Sequence, residues 1–217
     1  MLSNRNAAMY NRPGGGNQSS VFASLSGRAY DFDFNREGSM YAAGNGDNLF
    51  LVQTNGNFES VAAYPATFVR GVRVFGSYVY VAGREMSTRD AVWRNRINAV
   101  NSLGPNELVF DVTAQIGNSE IQALTFAEDG DMYLSITNNN DPIWVVHPDG
   151  SYEPLYPGVI KPANASNIEV RDMAWGNDVF LYINRFHQVV EGGEITTFQQ
   201  IIKVNMQKNS APYWGRE

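Results

Sequence analysis

One phrase recurs four times along the chain and restricts what it can become. It reads Gly38-Ser39-Met40-Tyr41-Ala42, then Gly76-Ser77-Tyr78-Val79-Tyr80-Val81, then Gly130-Asp131-Met132-Tyr133-Leu134, and last Gly176-Asn177-Asp178-Val179-Phe180-Leu181. Each copy is a glycine, two or three residues, then an aromatic and a small or aliphatic residue. Each follows a stretch in which apolar and polar residues alternate, the period of a half-buried strand. The phrase therefore marks a tight turn between two strands. Its aromatics Tyr41, Tyr80, Tyr133 and Phe180 are spaced 39, 53 and 47 residues apart. Spacings in this range belong to architectures that repeat one supersecondary unit.

Each period holds three or four strands. In the first, Tyr30, Phe32 and Phe34 alternate with Asp31 and Asp33, and residues 40–43, 49–53 and 58–64 follow, the last two joined by an Asn55-Gly56 hairpin. The second holds residues 69–75, 78–82, 91–100 and 107–113. The third holds residues 121–126, 132–136, 143–147 and 152–156. The fourth holds residues 168–175, 179–184 and 200–206, and no fourth strand follows. No helical stripe of useful length occurs. An all-β chain of about four four-stranded units predicts a β-propeller. Residues 21–25 form a spare strand at the start, placed to complete the last blade so that both chain ends share it. The alternative is that these blades belong to a larger ring whose other blades lie elsewhere. Residues 1–20, with Pro13-Gly14-Gly15-Gly16, read as a flexible arm or linker. Residues 21–217 then form one propeller domain.

Composition narrows the function. A formal net charge of -6 lacks the basic footprint of nucleic-acid binding and does not suit an anionic membrane surface. The absence of cysteine excludes disulfides, zinc–thiolate sites and a cysteine nucleophile. No apolar run is long enough to span a membrane, and the first twenty residues lack the apolar core of a signal peptide. Charged residues are only 18% of the chain, so Asn, Ser, Thr, Gln and Gly must supply much of the surface. That composition suits a protein working outside the cytoplasm, at the bacterial cell surface or in the periplasm.

Glu128-Asp129-Gly130-Asp131-Met132-Tyr133-Leu134, followed by Ile143-Trp144-Val145-Val146-His147-Pro148-Asp149-Gly150, resembles the repeats of NHL and SMP-30-like propellers. The tail Ser210-Ala211-Pro212-Tyr213-Trp214-Gly215-Arg216 resembles the end of propeller domains in IPT/TIG-containing surface lipoproteins of gut Bacteroidetes. The second resemblance implies capture of glycans. The first carries an alternative, a hydrolase or lactonase that holds a divalent metal with a Glu, an Asn and an Asp.

Binding residues collect on loops set by a rigid scaffold. The long polar loops are residues 44–48, 83–90, 137–142 and 185–198, all joining second strands to third strands. The candidate ligand-binding residues are therefore Asn45, Asp47, Arg84, Glu85, Asn139, Asp141, Asn184, Arg185 and His187. Their expected role is hydrogen bonding to a polysaccharide, an oligosaccharide or a protein partner. No catalytic residue can be assigned, and no cofactor is expected apart from a divalent metal under the hydrolase alternative. Two histidines without spaced partners do not make a metal site. His147, before a Pro-Asp-Gly turn, reads as a turn residue. Asp31, Asp33, Arg70, Arg73, Arg171 and Asp172 fall on first strands and are expected to pair with one another, because buried charges need partners. A structural or assembly role, in which a partner strand finishes the short fourth unit, is a third reading.

Overall fold

The computed structural model describes residues 2–3, 8–11, 20–25, 29–44, 46–85, 89–98, 102–138, 140–158, 160–176 and 178–214, with side chains from residue 20 onward. The described strands form five antiparallel sheets. The first holds β1 (Leu2–Ser3), β2 (Ala8–Asn11) and β3 (Ser20–Ser24). The second holds β4 (Ala29–Phe34), β5 (Met40–Gly44), β6 (Asn48–Val52) and β7 (Phe58–Ala63). The third holds β8 (Phe68–Phe75), β9 (Tyr78–Glu85), β10 (Arg89–Arg96) and β11 (Glu107–Asp111), followed by the four-residue helix α1 (Val112–Gln115). The fourth holds β12 (Ile121–Phe126), β13 (Met132–Ile136), β14 (Ile143–Val146) and β15 (Tyr152–Pro154). The fifth holds β16 (Ala165–Trp175), β17 (Phe180–Glu191) and β18 (Glu194–Asn205). Within each sheet the strands lie in sequence order. The chain divides into two compact units, Met1–Gln115 with Tyr213–Glu217, and Ile116–Pro212.

The repeated phrase does what its residues allow. Gly38, Gly76 and Gly130 adopt φ of 79°, 58° and 94°, the left-handed region that a Cβ disfavours. The aromatics that follow them point inward, with Tyr41 and Tyr133 at 0% and 2% exposure.

In the first unit, β4 packs against β8 of the next sheet through a polar stitch. Asp31 and Asp33 are two residues apart, so both project to one face of the strand. Asp31 accepts from the Val72 N–H at 2.9 Å, and Asp33 accepts from the Val74 N–H at 2.8 Å. Their other oxygens accept from the next amides of their own strand, Phe32 and Phe34, each at 2.9 Å. Arg73 adds an ion pair to Asp31 at 2.5 Å. Around the stitch, Tyr41, Leu49, Leu51, Val69, Val72, Val81 and Trp93 form one apolar cluster. A buried polar knot adds to it. The Tyr64 hydroxyl donates to Asn95 Oδ1 at 2.5 Å, and Asn95 Nδ2 donates to Gly104 O and to Asn106 Oδ1.

In the second unit, β12 packs on β16. Ile168, Val170, Met173 and Trp175 of β16 are buried, and Trp175 meets Tyr133 edge to face at 5.7 Å between centroids.

Several expectations are corrected. The spare strand does not complete the last sheet. It appears as β3 and pairs with β2, Met9 opposite Ala23, so the described sheets number five and the last has three strands. Pairing within a short stretch of chain closes a much smaller loop than pairing with the far end. β1 and β2 fall inside the stretch read as an arm, the rest of which lies outside the described residues. The polar loop 83–90 is partly strand, because β9 runs on to Glu85 and β10 begins at Arg89. The supposed loop 185–198 is a long hairpin of β17 and β18 that turns on Gly192-Gly193, with φ of 60° and 84°. It was hidden because Arg185 and His187 occupy core-facing positions and break the apolar alternation.

Asp33→Ala should leave the Val74 amide without its acceptor and lower unfolding free energy by about 1–3 kcal/mol. Glu37→Ala, at an exposed turn position, should change it by less than about 0.5 kcal/mol. Urea denaturation of the two variants measures both.

Candidate functional site

The candidate residues that the structure describes have different surroundings. Asn45 and Asn139 lie outside the described residues. Asp47 is exposed and accepts from Asn48 Nδ2 at 2.6 Å. Arg84 is committed to the buried Asp90 at 3.0 Å, and Glu85 faces Arg89 at 3.5 Å. Asp141 caps local turns: its carbonyl accepts from Trp144 Nε1 at 2.9 Å and its carboxylate from Gly158 N at 3.3 Å. Asn184, Arg185 and His187 all lie on β17. Successive residues of a strand project to opposite faces, so Arg185 and His187 share one face and Asn184 takes the other. His187 is not a loop residue. It is 5% exposed and its ring stacks on Phe198 at 4.9 Å between centroids. Burial, and then the charge of Arg185, push its pKa below the ordinary value, so it is neutral near pH 7.

Arg185 is the candidate that lines a concavity. The concavity holds about 500 Å³ and is lined by Tyr156, Ile160, Arg185, Ile202, Val204 and Asn205. The connection between the fourth and fifth sheets supplies Tyr156 and Ile160, and strands β17 and β18 supply the rest. One guanidinium nitrogen donates to the Ile160 carbonyl at 2.7 Å and another to the Gln200 side chain. Nε is buried without a partner. Arg73, Arg84, Arg89, Arg94 and Arg171 each face a carboxylate, whereas no ion pair is found for Arg185 among the described residues. Burial lowers its pKa, yet a guanidinium keeps its proton. The concavity thus offers a positive charge, with no counter-ion among the described residues, on a largely apolar wall. Tyr156 stands at φ 47°, a conformation uncommon for a residue with a side chain. The sequence had marked Arg185 as a loop residue. Tyr156, Ile160, Ile202 and Val204 it missed, because only the fold brings those segments together.

A second charged group surrounds the Gly130 turn. Asp131, 4% exposed, accepts from His147 Nδ1 at 2.8 Å and pairs with Lys208. Lys208 also reaches Asp129 at 2.8 Å. His147 is therefore the anchor of an ion network as well as a turn residue. The bond to Asp131 raises its pKa, with Glu153 and Asp149 adding to the effect.

The tryptophans are mostly structural. Trp93 is buried beside Tyr64, and Trp144 packs on Tyr152. Arg36 lies 5.6 Å over the Trp214 ring. On the first strands, Arg70 stacks over Tyr30 and Phe68, Arg171 pairs with Glu169, and Asp172 caps the Met173 amide. Of the pairs expected among these residues, the structure shows that of Asp31 with Arg73, and the others described above turn to different partners.

No family model matches this chain, and no curated protein matches it. Solved structures do. The calcium-binding protein regucalcin of Agrobacterium tumefaciens superimposes with a TM-score of 0.65 at 14% identity, covering 96% of this chain and 74% of its own. A protein bearing a provisional gluconolactonase name gives a TM-score of 0.60 at 14% identity, covering 94% and 71%. The WD40 β-propeller domain of Doa1 gives 0.52 at 11% identity, covering 92% and 64%. Likeness at this identity shows the fold alone: the chain is a β-propeller, similar to the SMP-30-like kind.

A divalent ion finds no ready place among the described residues. Among the described residues no three His, Asp or Glu side chains are placed to share a metal. Asp31 and Asp33, the carboxylates of an innermost strand, are occupied by amide N–H groups and Arg73. The donors of the described residues do not fit the ion.

The His147 bond predicts a pH effect. Its folded-state pKa is raised, so its contribution to stability is complete below the unfolded value of about 6.5. The contribution is lost as pH rises through the folded value. Asp129 and Asp149 are shifted down and act only near the carboxylate range. The melting temperature of the native chain should exceed that of His147→Gln most at pH 5.5, and the gap should shrink by pH 9. A gap that does not change with pH would contradict the assignment.

Proposed function

We propose that this chain is a binding propeller for a carbohydrate that carries a carboxylate, held in the concavity beside Arg185. The observation that carries this reading is the guanidinium without a counter-ion among apolar neighbours. A half-buried charge with no counter-ion among the described residues favours an incoming partner of opposite sign, and an arginine fork matches a carboxylate in two-point fashion. Tyr156, Ile160, Ile202 and Val204 offer apolar surface to the C–H face of a sugar ring, and Asn205 offers hydrogen bonds to hydroxyls. The reading keeps the oligosaccharide ligand expected from the sequence and moves its site from the loops to the fifth sheet. It places the protein outside the cytoplasm of a bacterium, as its composition and tail suggest.

A second reading is a metal-dependent hydrolase of lactones. The names of two structural neighbours, a calcium-binding regucalcin and a gluconolactonase, favour it. Hydrolysis of a sugar lactone yields a hydroxy-acid, so Arg185 would then hold the product carboxylate. The two readings separate on metal dependence.

Thermal-shift titration with glucuronate- and galacturonate-containing oligosaccharides, and with their neutral counterparts, tests the first. The acidic ligands should raise the melting temperature, and Arg185→Met should weaken binding at least about tenfold. Equal shifts with neutral sugars, or unchanged binding by the variant, would refute the site. Stabilisation by calcium that EDTA reverses, together with lactone hydrolysis, would establish the hydrolase instead.

A further inference from the structure

The outer strand of the fifth sheet differs from those of the three sheets before it. Those sheets end in β7, β11 and β15, of 6, 5 and 3 residues. The fifth ends in β18, of 12 residues, with no strand on its outer side among the described residues. Its pairing with β17 carries no bulge, it contains no proline, and residues 195–202 are uncharged. Short length, bulges, prolines and charges are the usual means of blunting an edge. None protects the middle of β18.

The hairpin turn decides which backbone groups face outward. Glu191 and Glu194 flank the two-residue Gly192-Gly193 turn, so they form a hydrogen-bonded pair, and the pairs alternate from there. The N–H and C=O groups of Ile195, Thr197, Gln199 and Ile201 therefore point away from β17. Their side chains lie on one face of the sheet, where Ile195 is 64% exposed and Ile201 is 67% exposed. Val190, directly opposite Ile195, is 49% exposed on the same face.

We propose that β18 is the edge through which two copies of this chain join, antiparallel, with Phe198 opposite Phe198. Antiparallel pairing requires outward-facing residues to meet outward-facing residues, which excludes every register displaced by one. Among the allowed registers, centring on Phe198 sets Ile195 opposite Ile201 twice and Thr197 opposite Gln199 twice. It places no like charges opposite each other: Lys203 falls opposite Gly193 of the second copy, and Ile202 opposite its Glu194. A register centred on Thr197 sets Ile201 opposite Gly193, and one centred on Gln199 sets Ile195 opposite Lys203. The chosen register forms about eight backbone hydrogen bonds along the edge. It joins the two fifth sheets into one continuous six-stranded sheet and leaves the concavity at Arg185 on a separate face from the isoleucines. It does not depend on the carbohydrate reading.

Sedimentation equilibrium of the purified chain should give a dimer. Ile201→Lys should give a monomer with an unchanged far-ultraviolet spectrum. So should Thr197→Pro, which removes an outward N–H without touching the β17 ladder. The register is read separately, since the chain has no cysteine. Opposed residues of a non-hydrogen-bonded pair have Cα atoms about 4.5 Å apart, within disulfide range. Phe198→Cys should therefore form a disulfide-linked dimer under mild oxidation, and Thr196→Cys should not. A monomeric native chain, as expected if the edge receives a strand from a different protein, overturns the proposal. So does a dimer that survives both Ile201→Lys and Thr197→Pro, or one that links through Thr196→Cys.

Discussion

A sheet faced by another sheet must bury backbone and apolar surface together, and the carboxylates of β4 solve the polar half of that problem. Asp31 and Asp33 take amide N–H groups of β8, which would otherwise lie unpaired against the neighbouring strand. An unpaired amide in such a place costs more than an ordinary hydrogen bond contributes. The pair also fixes how far one strand slides along the other, because both acceptors are spaced two residues apart like both donors. Val69, Val72 and Val74 then fall into one apolar cluster with Tyr41 and Trp93. The packing of the first unit depends on that alignment.

The second unit has an apolar interior of its own. Trp175, Tyr133 and the aliphatic residues of β16 fill its interior. Its charged network stands at the Gly130 turn, where Asp131 collects His147 and Lys208. On the fifth sheet the pattern differs. Arg185 and His187 occupy core-facing positions, one bounding a concavity and the other stacked on Phe198. Polar residues at core-facing positions weaken a sheet unless something else repays their burial. The ligand proposed for Arg185 would supply that reason.

The architecture was largely legible in the chain. The glycine–aromatic phrase located the turns at Gly38, Gly76 and Gly130, and the alternation of Tyr30 to Phe34 located an innermost strand. Both signals are local, because turn geometry and strand period depend on a few adjacent residues. The hairpin of β17 and β18 was not legible, since Arg185 and His187 interrupt its apolar face. Nor was the pairing of β3 with β2, because alternation says that a strand exists without saying which strand receives it.

The candidate site divides in the same way. Composition alone excluded thiolate chemistry and a basic nucleic-acid surface, and an expected loop position put Arg185 among nine polar candidates. Only the tertiary structure decided that Arg84 is committed to Asp90, that His187 is buried, and that Arg185 faces Tyr156, Ile160 and Val204 across a cavity. The physical reason is range. Period and turn chemistry act over a few residues and are written in the local sequence. The partner of a charge is set by whichever distant segments the packed sheets bring within a few ångströms.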